Sequence, residues 1–307
     1  MATKEKDNEY ICTLSEKFIK QAEEELFETD ESRTKNIKIL REKIENCQEL
    51  HVRTDDAYLI RFLRAKKFDC ERAFQLILKH FEVKCEVKNK DLFRNMRPST
   101  VKHVLEDGVT GVLPHRDKFG RRVLIFRAGK WNPSKYPLPD IFKTNFMTLS
   151  KVIQEEETQV AGVVVIADLK GIGIGHVTQM TPFYAKRIAS LLQDCFPMRL
   201  KGVHYVNEPA LFDVIFAIVQ QFLRRKFLER IHVHGKNMSK LADFVDIDNL
   251  PEEYGGKAPP FSNEDWTNTL LACEEEFIEE EKYGVVKSTS MKEESPPKQD
   301  TDNVLIF

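Results

Sequence analysis

The 307-residue chain lacks any apolar stretch long enough to cross a membrane. Its longest apolar run, residues 160–167, has eight residues when Gly162 is counted, far short of the ~20 that a spanning helix needs. The polar N-terminus contains no apolar secretory segment. The six cysteines (positions 12, 47, 70, 85, 195 and 273) include no C-x-x-C pair. Because their spacing indicates no disulfide framework, we expect a reducing, cytosolic compartment.

The chain also lacks an excess of either charge, since 47 lysines and arginines face 49 aspartates and glutamates and the net charge is −2. The charges are nevertheless segregated. Residues 182–240 hold ten bases and four acids, for a net charge of +6, whereas residues 241–307 hold 17 acids and five bases, for −12. A focused basic segment predicts an anionic partner, and a basic amphipathic helix favours a membrane surface over nucleic acid.

Signatures of catalysis, nucleotide binding and metal binding are missing as well. The glycine-rich segment 171–175 resembles a dinucleotide fingerprint, but His176 stands where the third glycine is needed. No helix is predicted to begin at these glycines either, so we interpret the segment as a strand-exit loop. His232 and His234 share one face of a short strand without the further ligands that zinc needs. Asp168 ends a strand but has no acid–base partner. We therefore expect no enzyme, no metal and no cofactor; a nucleotide-dependent oxidoreductase is the enzymatic alternative, which the glycine spacing disfavours.

The first part of the chain, residues 1–95, is predicted to be a helical module, because neither proline nor glycine occurs before Pro98. Thr13 and the glutamate three residues later have capping-box spacing at the start of one helix. Thr54 is predicted to cap a second helix, and Asp69 to begin a third.

From about residue 100 the pattern changes to strands that alternate with helices. A turn at residues 116–120 joins two strands, and an apolar, buried strand follows. This alternation predicts an α/β fold whose mainly parallel sheet has helical crossovers. The predicted elements after the first hairpin are helix 141–154, strand 162–169, helix 182–194, strand 201–207, helix 210–228 and strand 231–234. We assign residues 96–258 to this α/β domain, 259–284 to an acidic helical extension and 285–307 to a disordered tail.

The most unusual segment is residues 211–223, in which ten of 13 residues are apolar. That is more than the single stripe of an ordinary surface helix. It is followed at once by Arg224, Arg225 and Lys226. One interpretation is a helix packed on both sides. The other is a helix with one face closing an apolar cavity and another meeting lipid, beside bases that contact anionic head groups.

Six motifs follow one another along the chain: LIRFLRAKKFD (59–69), EETQVAG (156–162), DLKG (168–171), QDCFP (193–197), GVHYVNEP (202–209) and LPEEYGG (250–256). In this order they resemble the CRAL-TRIO lipid-binding family and, within it, most closely its tocopherol-transfer members. The resemblance covers about residues 50–272 and implies a helical N-terminal module, an α/β domain with a mobile gate helix, and a non-enzymatic carrier that encloses one hydrophobic molecule.

The resemblance also implies two functional surfaces. A cleft that binds phosphatidylinositol phosphates maps onto five bases, a type of site that suits phosphates because arginine and lysine donors converge there. These bases are Lys66, Arg199, Lys201, Lys226 and Arg230. Arg199 and Lys201 stand at alternate positions, which predicts that they share one face of an entering strand. The gate helix maps onto residues 212–228. Its apolar residues are Phe212, Ile215, Phe216, Ile218, Val219 and Phe222.

The wall of the hydrophobic pocket is implied in the same way. Three of its positions depart from the tocopherol carriers, because Asn145 and Leu149 replace two serines and Ala167 replaces a phenylalanine. Polar contacts orient a ring in such a pocket, so the cargo is left as a tocopherol-like, retinoid-like or other lipid-like molecule. The other predicted wall residues are Phe126, Trp131, Phe142, Val163, Val165, Leu169, Ile188, Leu192 and Val203, with gate residues Phe212, Ile215 and Ile218 closing it.

The function predicted on this basis is that of a monomeric, cytosolic carrier. It docks transiently on endosomal or other phosphoinositide-bearing membranes and exchanges its hydrophobic ligand through the gate helix. The alternative is a phosphoinositide-binding adaptor or sensor that moves no bulk cargo. The acidic tail would then recruit a protein partner.

Overall fold

The structure is a computed structural model that describes residues 10–286. Its first part is helical, as predicted, except for the short strand β1 (Leu50–His51), which pairs antiparallel with the distant strand β7 (Gly284–Val285). The helices of this part are α1 (Glu16–Leu26), α2 (Asp30–Glu45), α3 (Asp56–Ala65) and α4 (Cys70–Cys85).

Short polar side chains set where these helices begin. Asp69 accepts a hydrogen bond from the backbone of α4, as its position predicts. Helix α3 is capped by Asp55, one residue after the predicted Thr54. The capping-box prediction for α1 is wrong, because the N-cap is Ser15 and its side chain makes no cap bond. Thr13 instead bonds the carboxylate of Glu156 through its backbone N (2.8 Å) and hydroxyl (2.7 Å).

The core of the helical part forms where the apolar stripes of its four helices meet. On α4, for example, Ala73, Ile77 and Phe81 are wholly buried at a spacing of four residues. Two residues of a later helix, α8 (Glu156–Ala161), join the same core. Its central members are Phe18, Ala22, Leu26, Ile37, Leu40, Leu59, Phe62, Leu63, Ala73, Ile77, Phe81, Val160 and Ala161.

The second part alternates strands and helices. Its helices are α5 (Lys90–Phe93), α6 (Lys102–Glu106), α7 (Leu138–Val152), α8, α9 (Ile174–Gln179), α10 (Pro182–Ser190), α11 (Phe212–Val219) and α12 (Arg225–Leu228). Its strands are β2 (Thr110–Val112), β3 (Arg122–Arg127), β4 (Val163–Asp168), β5 (Leu200–Val206) and β6 (Ile231–Val233). The C-terminal helices α13 (Glu264–Leu271) and α14 (Glu274–Glu280) pack Trp266, Leu270 and Phe277 into the core that contains α7.

The five strands β2 to β6 form one sheet in sequence order. Strands β2 and β3 are antiparallel, and the other neighbours are parallel, which confirms the predicted α/β class. Because parallel crossovers are right-handed, a sequential strand order brings the connecting helices to one face of the sheet. The other face is covered by residues 238–254, with Leu241, Val245 and Tyr254 buried against the strands.

The helix predicted over residues 210–228 is broken. Helix α11 ends at Val219, a 3₁₀ turn covers Gln220–Phe222, and the backbone is extended at Leu223 and Arg224 before α12 begins. Gln193, from the π-helical turn after α10, accepts a hydrogen bond from the Arg224 backbone N–H (2.6 Å) and donates one to the Phe222 carbonyl (3.1 Å). These bonds satisfy backbone groups that a continuous helix would have paired internally.

No helix among residues 10–286 is long and apolar enough to cross a membrane. The predicted disorder at 287–303 lies outside the described residues, and Val285 belongs to β7 rather than to a disordered tail. The predicted domain boundaries at 95 and 258 stay predictions.

Candidate functional site

The face of the sheet that meets the helices carries five of the predicted wall residues, namely Phe126, Val163, Val165, Ala167 and Val203. Side chains alternate between the two faces of a strand, so Val163, Val165 and Ala167 of β4 point to the same side. In register, Val165 lies beside Leu124 of β3 and Val203 of β5. The pocket residues that resemblance assigned to three separate strands therefore lie on one surface.

This surface is incompletely filled at its centre. Val165 occupies the middle strand of the sheet and is in contact with side chains from the helical side, yet it remains partly exposed. Its neighbours Val164 and Ile166, which face the other way, are only 1% exposed. Side chains on a central strand beneath helices are normally close-packed. We therefore interpret the remaining exposure of Val165 as a gap between the sheet and the helices.

The predicted wall residues divide by burial in a way that outlines this gap. Phe126, Phe142, Asn145, Val165, Ile188 and Leu192 are partly exposed, whereas Trp131, Leu149, Val163, Ala167, Leu169 and Val203 are buried. Asn145 is oriented by the Thr110 hydroxyl, which donates to its side-chain oxygen (2.7 Å). Trp131 is oriented by its indole N–H, which donates to the Tyr136 carbonyl (2.9 Å).

A separate surface cavity of about 460 Å³ lies beside Trp131. It is lined by polar and charged side chains, among them Asp107, Lys130, Lys135 and His176. It shares only Trp131 with the predicted wall, so it is not the apolar gap above Val165.

Helix α11 covers one end of the sheet with its most buried aromatic residue. Phe212 packs between Tyr205, whose ring is tilted against it (5.1 Å between ring centroids), and Phe216, whose ring stacks on it (5.3 Å). It joins a cluster with Leu169 at the end of β4. The rest of the predicted gate surface is less covered, and Val214 is 50% exposed. The partly exposed gate residues are Ile215, Phe216, Ile218, Val219 and Phe222.

Arg199 and Lys201, called here the β5 pair, meet the same carboxylate of the helical module. Glu25 Oε2 accepts from Arg199 Nη2 (2.6 Å) and from Lys201 Nζ (3.0 Å), and its Oε1 accepts from the Gln21 amide (2.7 Å). Arg199 also donates to the Val160 carbonyl. The spacing of one residue between the pair puts both side chains on one face of the strand, as predicted.

The electrostatics of this contact are those of a preformed anion site. Partial burial acts to raise the pKa of Glu25, but the hydrogen bonds from Gln21, Arg199 and Lys201 outweigh it and lower the pKa to about 2. The pKa of Lys201 is lowered, first by burial and then by the nearby Arg199 charge, while Glu25 opposes the shift. Because the charges of Arg199 and Lys201 repel each other, an anion placed between them stabilises both.

The other three predicted head-group residues have different surroundings. Lys66 ends α3 and lies near Arg72, Asp194 and Arg224; its pKa is lowered by burial, then by Arg72 and Arg224, against the opposing charge of Asp194. Lys226 and Arg230 are exposed and form no ion pair within residues 10–286. The carbonyl of Arg230 accepts from the Val203 N–H (2.8 Å), which fixes its backbone beside β5.

The sequence elements that were considered for catalysis or metal binding are engaged in the fold. Asp168 accepts from the Lys170 backbone (3.0 Å), the Asn207 amide (2.9 Å) and the Tyr254 hydroxyl (3.3 Å), so both of its oxygens have donors. A helix does begin at the glycine-rich loop, contrary to the prediction, because α9 starts at Ile174.

The histidines of β5 and β6 form a stacked cluster. His204 Nδ1 and His234 Nε2 are 2.9 Å apart, and the His204 and His232 rings stack at 5.0 Å. Burial, followed by the neighbouring His232 and His234, lowers the pKa of His204 to about 3. Within residues 10–286 no group of three or more potential ligands is arranged for a metal ion.

Comparison with known proteins identifies the family. The model of the CRAL/TRIO domain matches residues 106–256. A mouse (Mus musculus) protein named alpha-tocopherol transfer protein-like is 42% identical over 272 residues, 88% of this chain and 79% of that protein, and its human counterpart is 41% identical over the same shares. Clavesin-2 of Rattus norvegicus is 33% identical over 275 residues, 89% of this chain and 83% of that protein.

The chain belongs to the CRAL-TRIO family. The resemblance predicted from the ordered motifs is thereby confirmed, including its closeness to the tocopherol-transfer-like members. Membership makes the chain a lipid-binding protein of the class that takes up hydrophobic small molecules. A gap beneath helices is the feature of the fold that suits such a molecule.

Two residues that matter at this CRAL-TRIO surface were missed by the sequence analysis. Glu25 is separated from the β5 pair by more than 170 positions in the sequence. Gln193 is separated by about 30 positions from the gate-segment backbone to which it bonds. Neither stands out by composition or spacing. A local pattern carries no signal for such contacts, because they exist only after the helical module and the gate segment have packed on the sheet.

Proposed function

We propose that this CRAL-TRIO protein is a carrier that holds one hydrophobic molecule above the sheet and exchanges it at phosphoinositide-bearing membranes. The observation that supports it most is the partial exposure of Val165 on the central strand, beneath the helices. The names of its tocopherol-transfer-like relatives agree with such a cargo.

The energetics favour an extended apolar cargo in this gap. Each buried methylene contributes ~0.8 kcal/mol, from which the cost of ordering both partners is subtracted. The side chains around Val165 are aliphatic or aromatic, and the polar Asn145 is already held by Thr110. This arrangement accepts a ring-bearing or branched lipid and provides few groups that demand a particular hydrogen-bonding pattern.

Exchange requires the cargo to leave between the sheet and the gate segment, residues 212–228. The extended break at Leu223 and Arg224 is a natural hinge, because helical bonding is interrupted there. The segment is held by the Gln193 side chain and by one turn bond from the Leu223 N–H to the Gln220 carbonyl (3.1 Å). Movement of α11 would uncover the end of the sheet at Phe126 and Leu169 and bring the exposed Val214 towards lipid. The exposed Lys226 and Arg230 lie beyond the hinge, where they can meet anionic head groups.

The cargo site is tested by a matched pair of variants on adjacent residues. Val165→Phe fills the gap, so we expect a folded protein that has lost its bound lipid and its transfer activity. Val164→Phe places the same ring on the tightly packed opposite face, where overpacking costs about 1–3 kcal/mol. Native mass spectrometry after mild purification measures bound lipid, and urea unfolding measures stability. Equal destabilisation by both variants, with lipid retained by Val165→Phe, would contradict the gap.

The docking site is tested with the β5 pair. Arg199→Gln combined with Lys201→Gln removes two head-group donors without placing a new acid beside Glu25. At ~1 kcal/mol per base near an anionic surface, we expect transfer to phosphatidylinositol bisphosphate vesicles to fall about 30-fold while cargo stays bound. The control is Lys35→Gln with Lys38→Gln, which removes two exposed charges from α2.

The same assay separates a carrier from a sensor. A carrier moves labelled lipid from donor to acceptor vesicles, whereas a sensor or adaptor binds the vesicles and retains its cargo. Transfer that is unaffected by the β5 double variant and insensitive to salt would exclude the docking role.

A further inference from the structure

The predicted head-group site at Arg199 and Lys201 already contains an anion that the protein itself supplies. Glu25 Oε2 lies 2.6 Å from Arg199 Nη2 and 3.0 Å from Lys201 Nζ. These donors are the ones that a phosphate oxygen would use, and a carboxylate oxygen accepts from them with the same geometry. A head group that reaches both cations must therefore displace Glu25 or share its donors.

The fold holds Glu25 in this position. It lies in the last turn of α1, and the next residue, Leu26, is wholly buried, as is Ala22 one turn earlier. The backbone of α1 is thus fixed against the core of the helical module. The Glu25 side chain remains 36% exposed, so it can rotate into solvent without disturbing the helix.

The position of the carboxylate is also specific among its neighbours. The adjacent Glu24 carries the same charge but points away, where it pairs at 3.8 Å with Lys20 on the outer face of the helix and is 65% exposed. Only one acid of the run Glu23–Glu25 is directed at the β5 pair. An effect of the net negative charge of α1 would be the same for Glu24 and Glu25, whereas a direct contact with the β5 pair distinguishes them.

We propose that Glu25 is a built-in competitor for the anionic head group, which offsets one of the two positive charges of the β5 pair away from membranes and shortens the time spent docked. The proposal rests on the proposed function, in which Arg199 and Lys201 are the head-group donors. A phosphorylated head group displaces the carboxylate because it brings several negative charges, whereas a single carboxylate such as that of phosphatidylserine offers no advantage over Glu25.

The test measures binding of the full chain to phosphatidylcholine vesicles that contain phosphatidylinositol bisphosphate. Glu25→Gln keeps the shape of the side chain and removes its charge. Two partly exposed ion pairs are broken when the head group binds, so we expect about fivefold tighter binding and slower release for this variant. Glu24→Gln makes the same change of net charge one residue away and should change binding less than twofold, in the range of an exposed charge.

A second background separates this proposal from the docking role itself. In the Arg199→Gln, Lys201→Gln protein, Glu25→Gln should produce no gain, because the carboxylate then has no site to occupy. If Glu25→Gln and Glu24→Gln behave alike while the β5 double variant still weakens binding, the docking role stands and the competitor is wrong. If the β5 double variant binds like the wild type, the head-group site is wrong and the competitor falls with it.

Discussion

Two regions of this molecule are rich in bases, and they treat positive charge in opposite ways. In the helical module Arg64 is wholly buried, and its guanidinium makes a two-pronged pair with the equally buried Glu28 (2.8 Å for each bond). On the outer surface Lys226 and Arg230 are exposed and form no ion pair within the described part of the chain. Sequence alone presents both as bases beside apolar residues.

The difference shows what each set of charges does. A buried charge must be paired, because an unpaired one costs several kcal/mol, so Arg64 is satisfied by Glu28, Gln159 and Tyr10 and ties the helical module to α8. An exposed charge contributes little to stability and is available to a partner. The β5 pair lies between these limits, since it is partly buried and only one of its two charges is offset, by a single, partly exposed acid.

The largest effect should come from breaking the buried pair. Arg64→Leu leaves Glu28 inside the core with only Arg33 as its ionic partner, and we expect a loss of about 3 kcal/mol in the free energy of unfolding. Urea denaturation measures it. The double variant Arg64→Leu, Glu28→Leu removes both charges and should recover much of the loss. A single-variant loss below about 1 kcal/mol would place Arg64 with the surface bases.

The α/β architecture could be predicted from the sequence, because the periodicity of apolar and charged residues indicates strands and helices. The unbroken apolar run at residues 163–167 predicted a buried strand, and the one-residue spacing of Arg199 and Lys201 predicted a shared face. Both depend on neighbours along the chain. The break in the gate segment and the carboxylate on the β5 pair depend on Gln193 and Glu25, which reach their partners only through the tertiary fold.

The Val165 gap illustrates the same limit from another side. Alternation along β4 assigns Val165 to the helical face, but whether that face is filled depends on the shapes of side chains from α7, α10 and α11 together. Resemblance to CRAL-TRIO proteins supplied the pocket wall as a list. The structure divides that list into partly exposed residues around the gap and buried residues that belong to the core.

A smaller effect is expected at His80, a third kind of base that is buried like Arg64 but uncharged. His80 packs at the junction of α4 with the sheet domain, where its Nδ1 donates to the Cys195 carbonyl (2.8 Å). Burial, together with the nearby charges of Lys84 and Arg61, lowers the pKa of His80 to about 3, although the bond to Cys195 acts in the other direction. The fold therefore keeps this imidazole neutral.

The sign of the resulting pH dependence follows from where the proton binds. Below the ordinary histidine pKa of about 6.5 the unfolded chain gains a proton at His80 that the folded protein refuses, so stability falls as pH drops from there towards 3. One such group contributes ~1.4 kcal/mol per pH unit within this window. His80→Phe should lose the bond to Cys195 at pH 7 and yet show a shallower decline in acid.

The measurement is the difference in unfolding free energy between wild type and His80→Phe at several pH values. We expect this difference to shrink by about 2 kcal/mol between pH 7 and pH 5. His115→Phe, at an exposed histidine, is the control for replacing a histidine by phenylalanine outside the core. Parallel profiles for wild type and His80→Phe would mean that the buried imidazole is protonated in the fold. A protonated His80 would need an acid partner, as Arg64 does. Burial alone would then no longer distinguish the bases that stabilise the fold from the exposed bases that are available to a membrane.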